Sequence, residues 1–437
     1  MEGTRLNRLR LRRPLRWLAG GLLLLLLMAL LLPGLLGWFM EREARGWKHL
    51  TLAPGVTLSV EEWQRGWFAT RIRGHLKGAD LPLPVVMEAQ LRHGPILPGL
   101  VASGRFPLAL ISDTLELHAA GRAGNVPLLR LQGALGLAGG LWQRVILFDD
   151  ASTPVAGGVD LEASLFDGHW RVGGHVPVLR RRLDSIRLQL ADLRLQARGS
   201  LDAQAGIGAF DAAFSVQELS TNLVPGGLEL DDLRSRTVLA PSAERGRADL
   251  SLAMSMQRLQ TDGTAVAPLV FRVQINGLQQ AALPRLLQVR SQAEFVAALD
   301  ALLPGSALEL QRFMMRGTRG WVDTHFRAHF GRPTGTDWLS LLLAVRGEGE
   351  VSASRQWLLG LLERQLRLLQ DEQGARLDEI ERDARAAREA EGILRNLVAK
   401  GYFATANGVY KSRIHLQDGA LEMNGQAVEL LNLMSTP

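Results

Sequence analysis

The stretch EEWQRGWFATRIRGHLKG, Glu61 to Gly78, decides the fold class. From Phe68 on, Phe68, Thr70, Ile72, Gly74 and Leu76 share one parity, while Arg71, Arg73, His75 and Lys77 share the other. Successive side chains of a β-strand point to opposite faces, so a period of two predicts a strand with one apolar and one basic face. Three readings of the basic face compete. It is a solvated sheet face neutralised by acidic residues on neighbouring strands, a surface that meets anionic lipid head groups, or a site for another polyanion.

The same alternation recurs from about residue 52 to 354, for example in TLELHAAG from Thr114, LLRLQGAL from Leu128, RVILFDD from Arg144 and ADLSLAMSMQRL from Ala248. Turn signals such as DGHW, PGG and TDGT separate these segments. Strands in succession without helices between them predict antiparallel meanders. In SIRLQLADLRLQARG, Ser185 to Gly199, the apolar residues Ile186, Leu188 and Leu190 are even but Leu193, Leu195 and Ala197 are odd. A β-bulge near Ala191 and Asp192 would return them to one side.

Two helical regions interrupt the strands, at 278–303 and 355–400. The second has an apolar line through Leu358, Leu362, Leu366, Leu369, Leu377, Ile380, Leu394 and Val398, with a break expected at Gly374. It reads as a helical pair lying on the sheet or as a partner-binding helix.

From Trp17 to Met40 the chain carries no charged residue. As a helix this run would measure roughly 36 Å, against about 30 Å for a bilayer's hydrocarbon core. A transmembrane helix is therefore expected, marked by Trp17, Leu24, Leu27, Pro33 and Trp38. Arg10, Arg12, Arg13 and Arg16 ahead of it predict a cytoplasmic N-terminus. A cleaved signal peptide has a shorter apolar core and a small-x-small site, which Leu36, Gly37, Trp38 and Phe39 do not offer.

The expected fold class is thus α+β, mainly antiparallel β: an N-terminal transmembrane helix followed by a large curved or twisted antiparallel sheet with two helical insertions. The expected order is a basic cytoplasmic tail at 1–16, the transmembrane helix at 17–40, a stalk at 41–51, a strand-rich periplasmic region at 52–354, the long or broken helix at 355–400, and C-terminal strands with a short helix at 401–437. The expected location is the bacterial inner membrane, single-pass, with the bulk of the chain periplasmic.

Of the 437 residues, 47% are hydrophobic and 22% charged, the balance of a folded chain rather than a disordered one. The net charge of +6 resides in six arginines of the tail (Arg5, Arg8, Arg10, Arg12, Arg13, Arg16), and the remainder is nearly balanced, which argues against nucleic acid as a partner. The absence of cysteine excludes disulfides, thiolate catalysis and cysteine zinc sites.

No catalytic or cofactor motif stands out. His325 and His329 in HFRAH lie about 13 Å apart along a strand, too far for one metal ion. Gly206-Ile207-Gly208 lacks the third glycine and the βαβ setting of a nucleotide fingerprint. His93, in HGP, is expected at the last position of a strand, as a structural corner or a binding residue. No cofactor is expected, and the sequence points to no enzyme. The expected partners are the lipid bilayer through the N-terminal run, a lipid or an envelope protein, and a second copy of the chain.

RGWFATR (Arg65–Arg71), RHGPILPG (Arg92–Gly99) and the C-terminal YKSRIHLQDGALEMNGQAVELL, with its Asp418-Gly419 and Asn424-Gly425 turns, follow one another in the order seen in the YdgA-like family, which the chain resembles. The resemblance implies an inner-membrane-anchored periplasmic protein, possessing no established chemistry and no catalytic residue to carry over.

Overall fold

The structure, a computed structural model, describes residues 38, 41–42, 49–53, 56–78, 85–93, 109–121, 124–136, 139–164, 166–183, 185–201, 208–222, 227–261, 264–287, 289, 292–318, 320–332, 340, 343–372 and 379–428. These fall into two compact units, residues 1–186 and 187–437.

In the first unit, β1 (His49–Ala53), β2 (Val56–Arg65), β3 (Ala69–Gly78), β4 (Val85–His93), β5 (Ala109–Gly121), β6 (Gly124–Gly136), β7 (Gly140–Leu147), β8 (Gly158–Ser164) and β9 (His169–Leu183) each pair antiparallel with the next. On β3 the alternation is the one read from sequence: Thr70, Ile72 and Gly74 are buried, and Arg71, Arg73 and Lys77 are exposed. Ile72 packs with Leu58, Met87 and Ala89, and Val60, Trp63, Leu76, Leu91, Leu115 and Leu117 lie against them. Phe68 departs from its expected place on this face. The turn closes through Gly66 N–H to Ala69 O at 2.8 Å, so the strand begins one residue later and Phe68 remains outside, exposed.

The second unit holds β10 (Ile186–Ser200), β11 (Phe210–Thr221), β12 (Leu228–Pro241), β13 (Arg247–Met256), β14 (Arg258–Thr261), β15 (Thr264–Gln279), β16 (Ala307–Gly317), β17 (Gly320–Phe330), β18 (Val345–Ser354), β19 (Ala404–Ala406), β20 (Val409–Gln417), β21 (Ala420–Met423) and β22 (Gln426–Val428). Among the described residues, α1 (Leu283–Leu287), α2 (Gln292–Leu302), α3 (Arg355–Glu372) and α4 (Glu379–Ala399) join them. The first two cover one end of the sheet, where Leu283, Leu302 and Leu303 pack on Leu239, Ala248 and Leu278. The second two cover another part, where Leu358 and Leu394 pack on Val322, Ala353 and Phe403.

The α+β expectation is corrected: the described chain is mostly antiparallel sheet with few helices. Nor is a transmembrane helix seen among the described residues, where no helix is long and apolar enough to cross a membrane. Of residues 17–40 only Trp38 is among those described.

The bulge expected at Asp192 is replaced by a crease. Ala191 opposes Glu218 and Arg194 opposes Ser215, three residues along on each strand, so β10 carries no extra residue against β11. The apolar phase slips on β11 as well (Phe214 and Val216, then Leu219), on β12 (Leu228 and Leu230, then Leu233) and from β13 to β14 (Met254 and Met256, then Leu259). The slip lies at one level on all four lines, so pairing continues through it. Asp192 and Asp232 absorb it in the left-handed region, φ 47° and 49°, where aspartate is among the few tolerated side chains.

Candidate functional site

The polar face of β2–β6 surrounds the basic residues of β3. Arg73 stands in register between Glu62 and Glu88, with its Nε 3.6 Å from Glu88 Oε1. Glu88 is followed by Glu116 and Arg130 along the same row, and Arg130 Nε lies 2.6 Å from Glu116 Oε1. His75 Nε2 lies 2.9 Å from Glu61 Oε2. This part of the face mixes both signs of charge, with the carboxylates of Glu88 and Glu116 side by side between Arg73 and Arg130, and each ion pair is exposed enough to contribute little stability. An open hollow of about 410 Å³ over it is lined by Arg71, Arg73, Glu62, Glu88, Gln90 and Glu116, among others.

Arg71 differs from its neighbours. It stands between the amides Gln64 and Gln90, and Arg92, exposed, opposes Ala69 one row on. Neither Arg71 nor Arg92 forms an ion pair among the described residues. Lys77 is exposed at the far end of the strand. Uncompensated positive charge therefore stands at Arg71 and Arg92 near the β2–β3 turn and at Lys77 at the other end.

Beneath this face lies a polar inclusion in the apolar side. Thr70 and His93 are both buried, with Oγ1 and Nε2 3.1 Å apart. His93 is the final residue of β4. Asp113 points to the same side, opposite Leu91 and Gly133. Burial pushes its carboxyl above the ordinary carboxylate range, partly offset by a hydrogen bond from its own backbone N–H. Arg181, buried on β9, donates to the carbonyls of Pro127 (2.8 Å), Phe148 and Asp149; burial lowers its pKa, against the pull of Asp150 and Asp149.

In the second unit, Arg194 Nε lies 3.0 Å from Asp192 Oδ1 and Arg234 Nε 2.9 Å from Asp232 Oδ1, two copies of one Asp-Leu-Arg arrangement. Gln257 bridges to Asp232 Oδ2 at 2.9 Å. Together they line an open, largely polar hollow of about 730 Å³ over the crease. His325 and His329 both lie on the exposed side of β17, and no group of three or more metal-ligating side chains is present among the described residues.

A family model for "Bacterial protein of unknown function (DUF945)" matches residues 18–430. The chain belongs to the DUF945 family. No curated protein and no solved structure gave a match. DUF945 membership fixes bacterial relatives for nearly the whole chain and carries no chemistry with it.

Of the residues singled out from sequence, Arg71, Arg73, His75 and Lys77 share one strand face, and Arg71 is the one near the β2–β3 turn. Trp38 is helical and exposed, with the Arg42 guanidinium 5.7 Å from its ring centre. Trp17, Leu24, Leu27, Pro33, Arg10, Arg12, Arg13 and Arg16 lie outside the described residues. Sequence reading passed over Asp113, Arg181 and the paired Asp-Leu-Arg. The signal for Asp113 is its odd parity with Ile111, Leu115 and Leu117; the signal for the pair is the shared phase slip.

Proposed function

We propose that this DUF945 protein is a non-enzymatic envelope protein of the YdgA-like kind, held at the bacterial inner membrane by the run 17–40, with its strand-rich units in the periplasm, where the sheet of the second unit binds an acyl chain. The order of the RGWFATR, RHGPILPG and C-terminal motifs supports the YdgA-like kinship. The uncharged run behind an arginine block supports the location.

The observation that carries lipid binding is the apolar side of β10–β15. Leu195, Phe214, Ser235 and Met254 follow one another across the strands on one side of the crease, and Leu190, Leu219, Leu230 and Leu259 on the other; Leu230 is buried and the rest are half-buried. None belongs to either helix-covered cluster. The slip of four strands together keeps this apolar side continuous over their length. A continuous, partly open apolar strip suits an extended hydrocarbon chain.

The test is photo-crosslinking with a diazirine fatty acid, on the full chain in nanodiscs, followed by peptide mapping. Label on peptides of β10–β15 supports the reading, and label confined to residues 17–40 sinks it. A C-terminal alkaline phosphatase fusion that is inactive in intact cells would remove the periplasmic assignment.

A further inference from the structure

We infer that one edge of the first unit's sheet rests on the bilayer surface, using the aromatic side chains of its turns; this rests on the tethering proposed above. In an antiparallel meander the β2–β3 and β8–β9 turns lie along the same edge. Trp67 and Phe68, in the first of these turns, are 53% and 56% exposed, and Phe166, in the last, is 77% exposed. Apart from Trp38 beside the uncharged run, these are the exposed aromatic residues among the described part of this unit. Their gathering at one edge is unlike the scatter of single exposed apolar groups that a surface normally shows.

That edge is tied to the end of the run. Arg65, the last residue of β2, places Nη1 2.8 Å from Oε2 of Glu41, and Glu41 is the first charged residue after Met40. The pair holds the end of β2 within two side-chain lengths of the point where the run ends. Behind Trp67 and Phe68 stand Arg71 and Arg92, two exposed guanidinium groups that form no ion pair among the described residues. Tryptophan favours the head-group level of a bilayer, and arginine binds phosphate through two parallel hydrogen bonds. The occupant of this edge is therefore a bilayer surface with phosphate head groups, and anionic lipid strengthens the contact.

The chain has no cysteine, so single-cysteine variants can be labelled with an environment-sensitive fluorophore in the full-length protein reconstituted into phosphatidylglycerol-containing vesicles. Phe68→Cys and Phe166→Cys report the edge. Ala151→Cys, in the β7–β8 turn at the opposite edge, is the reference, and Leu27→Cys reports the tether. Lipids carrying a nitroxide near the head group should quench Phe68→Cys and Phe166→Cys more than about twofold over Ala151→Cys. Equal quenching at the two edges, or none at Phe68→Cys, overturns the inference. Quenching of Leu27→Cys by deep nitroxides leaves the tether standing in that event, and its absence removes the tether itself.

Discussion

Asp113 and Gly133 face each other across β5 and β6, and the Asp113 carboxylate fills the space that a Cβ on residue 133 would need. Glycine there lets an ionisable group tuck into the apolar side of the sheet. The cost is desolvation, which raises the carboxyl pKa. Between the unfolded value, 3.8, and the higher folded one, the folded state binds more protons. Stability therefore falls as pH rises through that window. Urea midpoints measured from pH 4 upward should decline accordingly, and Asp113→Asn should remove that decline and raise the midpoint at neutral pH. An unchanged slope in the variant would rule out Asp113 as its source.

The crease makes a different demand. Asp192 and Asp232 hold positive φ with no glycine's freedom. A β-branched residue in the left-handed region is an outlier, so Asp232→Val should destabilise by roughly 1–3 kcal/mol. Asp232→Gly relieves the backbone and loses only the Arg234 and Gln257 hydrogen bonds, so its urea midpoint should lie above that of Asp232→Val. The reverse order would mean that the left-handed backbone at residue 232 does not set the cost of the substitution.

Period-two alternation was legible wherever one strand face is apolar, as on β3, because the pattern is local. The crease was half legible. One strand's phase slip is visible in ADLRLQ, but a bulge and a sheet-wide slip differ only in what the neighbouring strands do, which depends on register. The β-rich character was evident, whereas the α+β class overestimated the helices: in the second unit most residues remain in strands. The site was least legible, because the charge of Arg71, Arg73, His75 and Lys77 is cancelled or left standing by Glu61, Glu62, Glu88 and the amides on other strands, and no single strand reveals its partners.

Burial separates two arginines that look alike in sequence. Arg236 makes a paired contact with Asp211, Nε to Oδ1 and Nη2 to Oδ2 both at 3.0 Å, and the hydrogen bonds from Arg236 lower the Asp211 pKa. That pair is solvent-exposed, so Arg236→Met should change the melting temperature little. Its one clear signature is at acid pH: the stability a depressed carboxylate provides is lost as pH falls through its folded pKa, and Asp211→Asn should flatten that limb. Arg181 is buried and serves three carbonyls from Pro127 to Asp149. Arg181→Met strands those acceptors at about 1–3 kcal/mol for each left without a partner, so it should lower the melting temperature far more than Arg236→Met. Comparable melting temperatures for the two variants would show that water replaces the Arg181 contacts.

The helical hairpin gives the sharpest contrast between faces of one element. On α4, Ala386 and Ala390 are fully buried and Leu394 is 2% exposed, while Ile393 is among the exposed apolar residues. The alanines that weaken any coiled-coil seam are what let α4 lie close to its neighbours. Ala390→Leu would force extra methylene groups into a filled space and should cost roughly 1–3 kcal/mol. Leu394→Ala removes the side chain packed with Leu358 and Phe403 and should cost about 2–5 kcal/mol. Ile393→Ala, one residue away and outside that cluster, should cost under about 1 kcal/mol. A loss at Ile393 as large as that at Leu394 would mean that a partner covers the outer face of the hairpin, and the size-exclusion profile of Ile393→Ala would then shift to a smaller species.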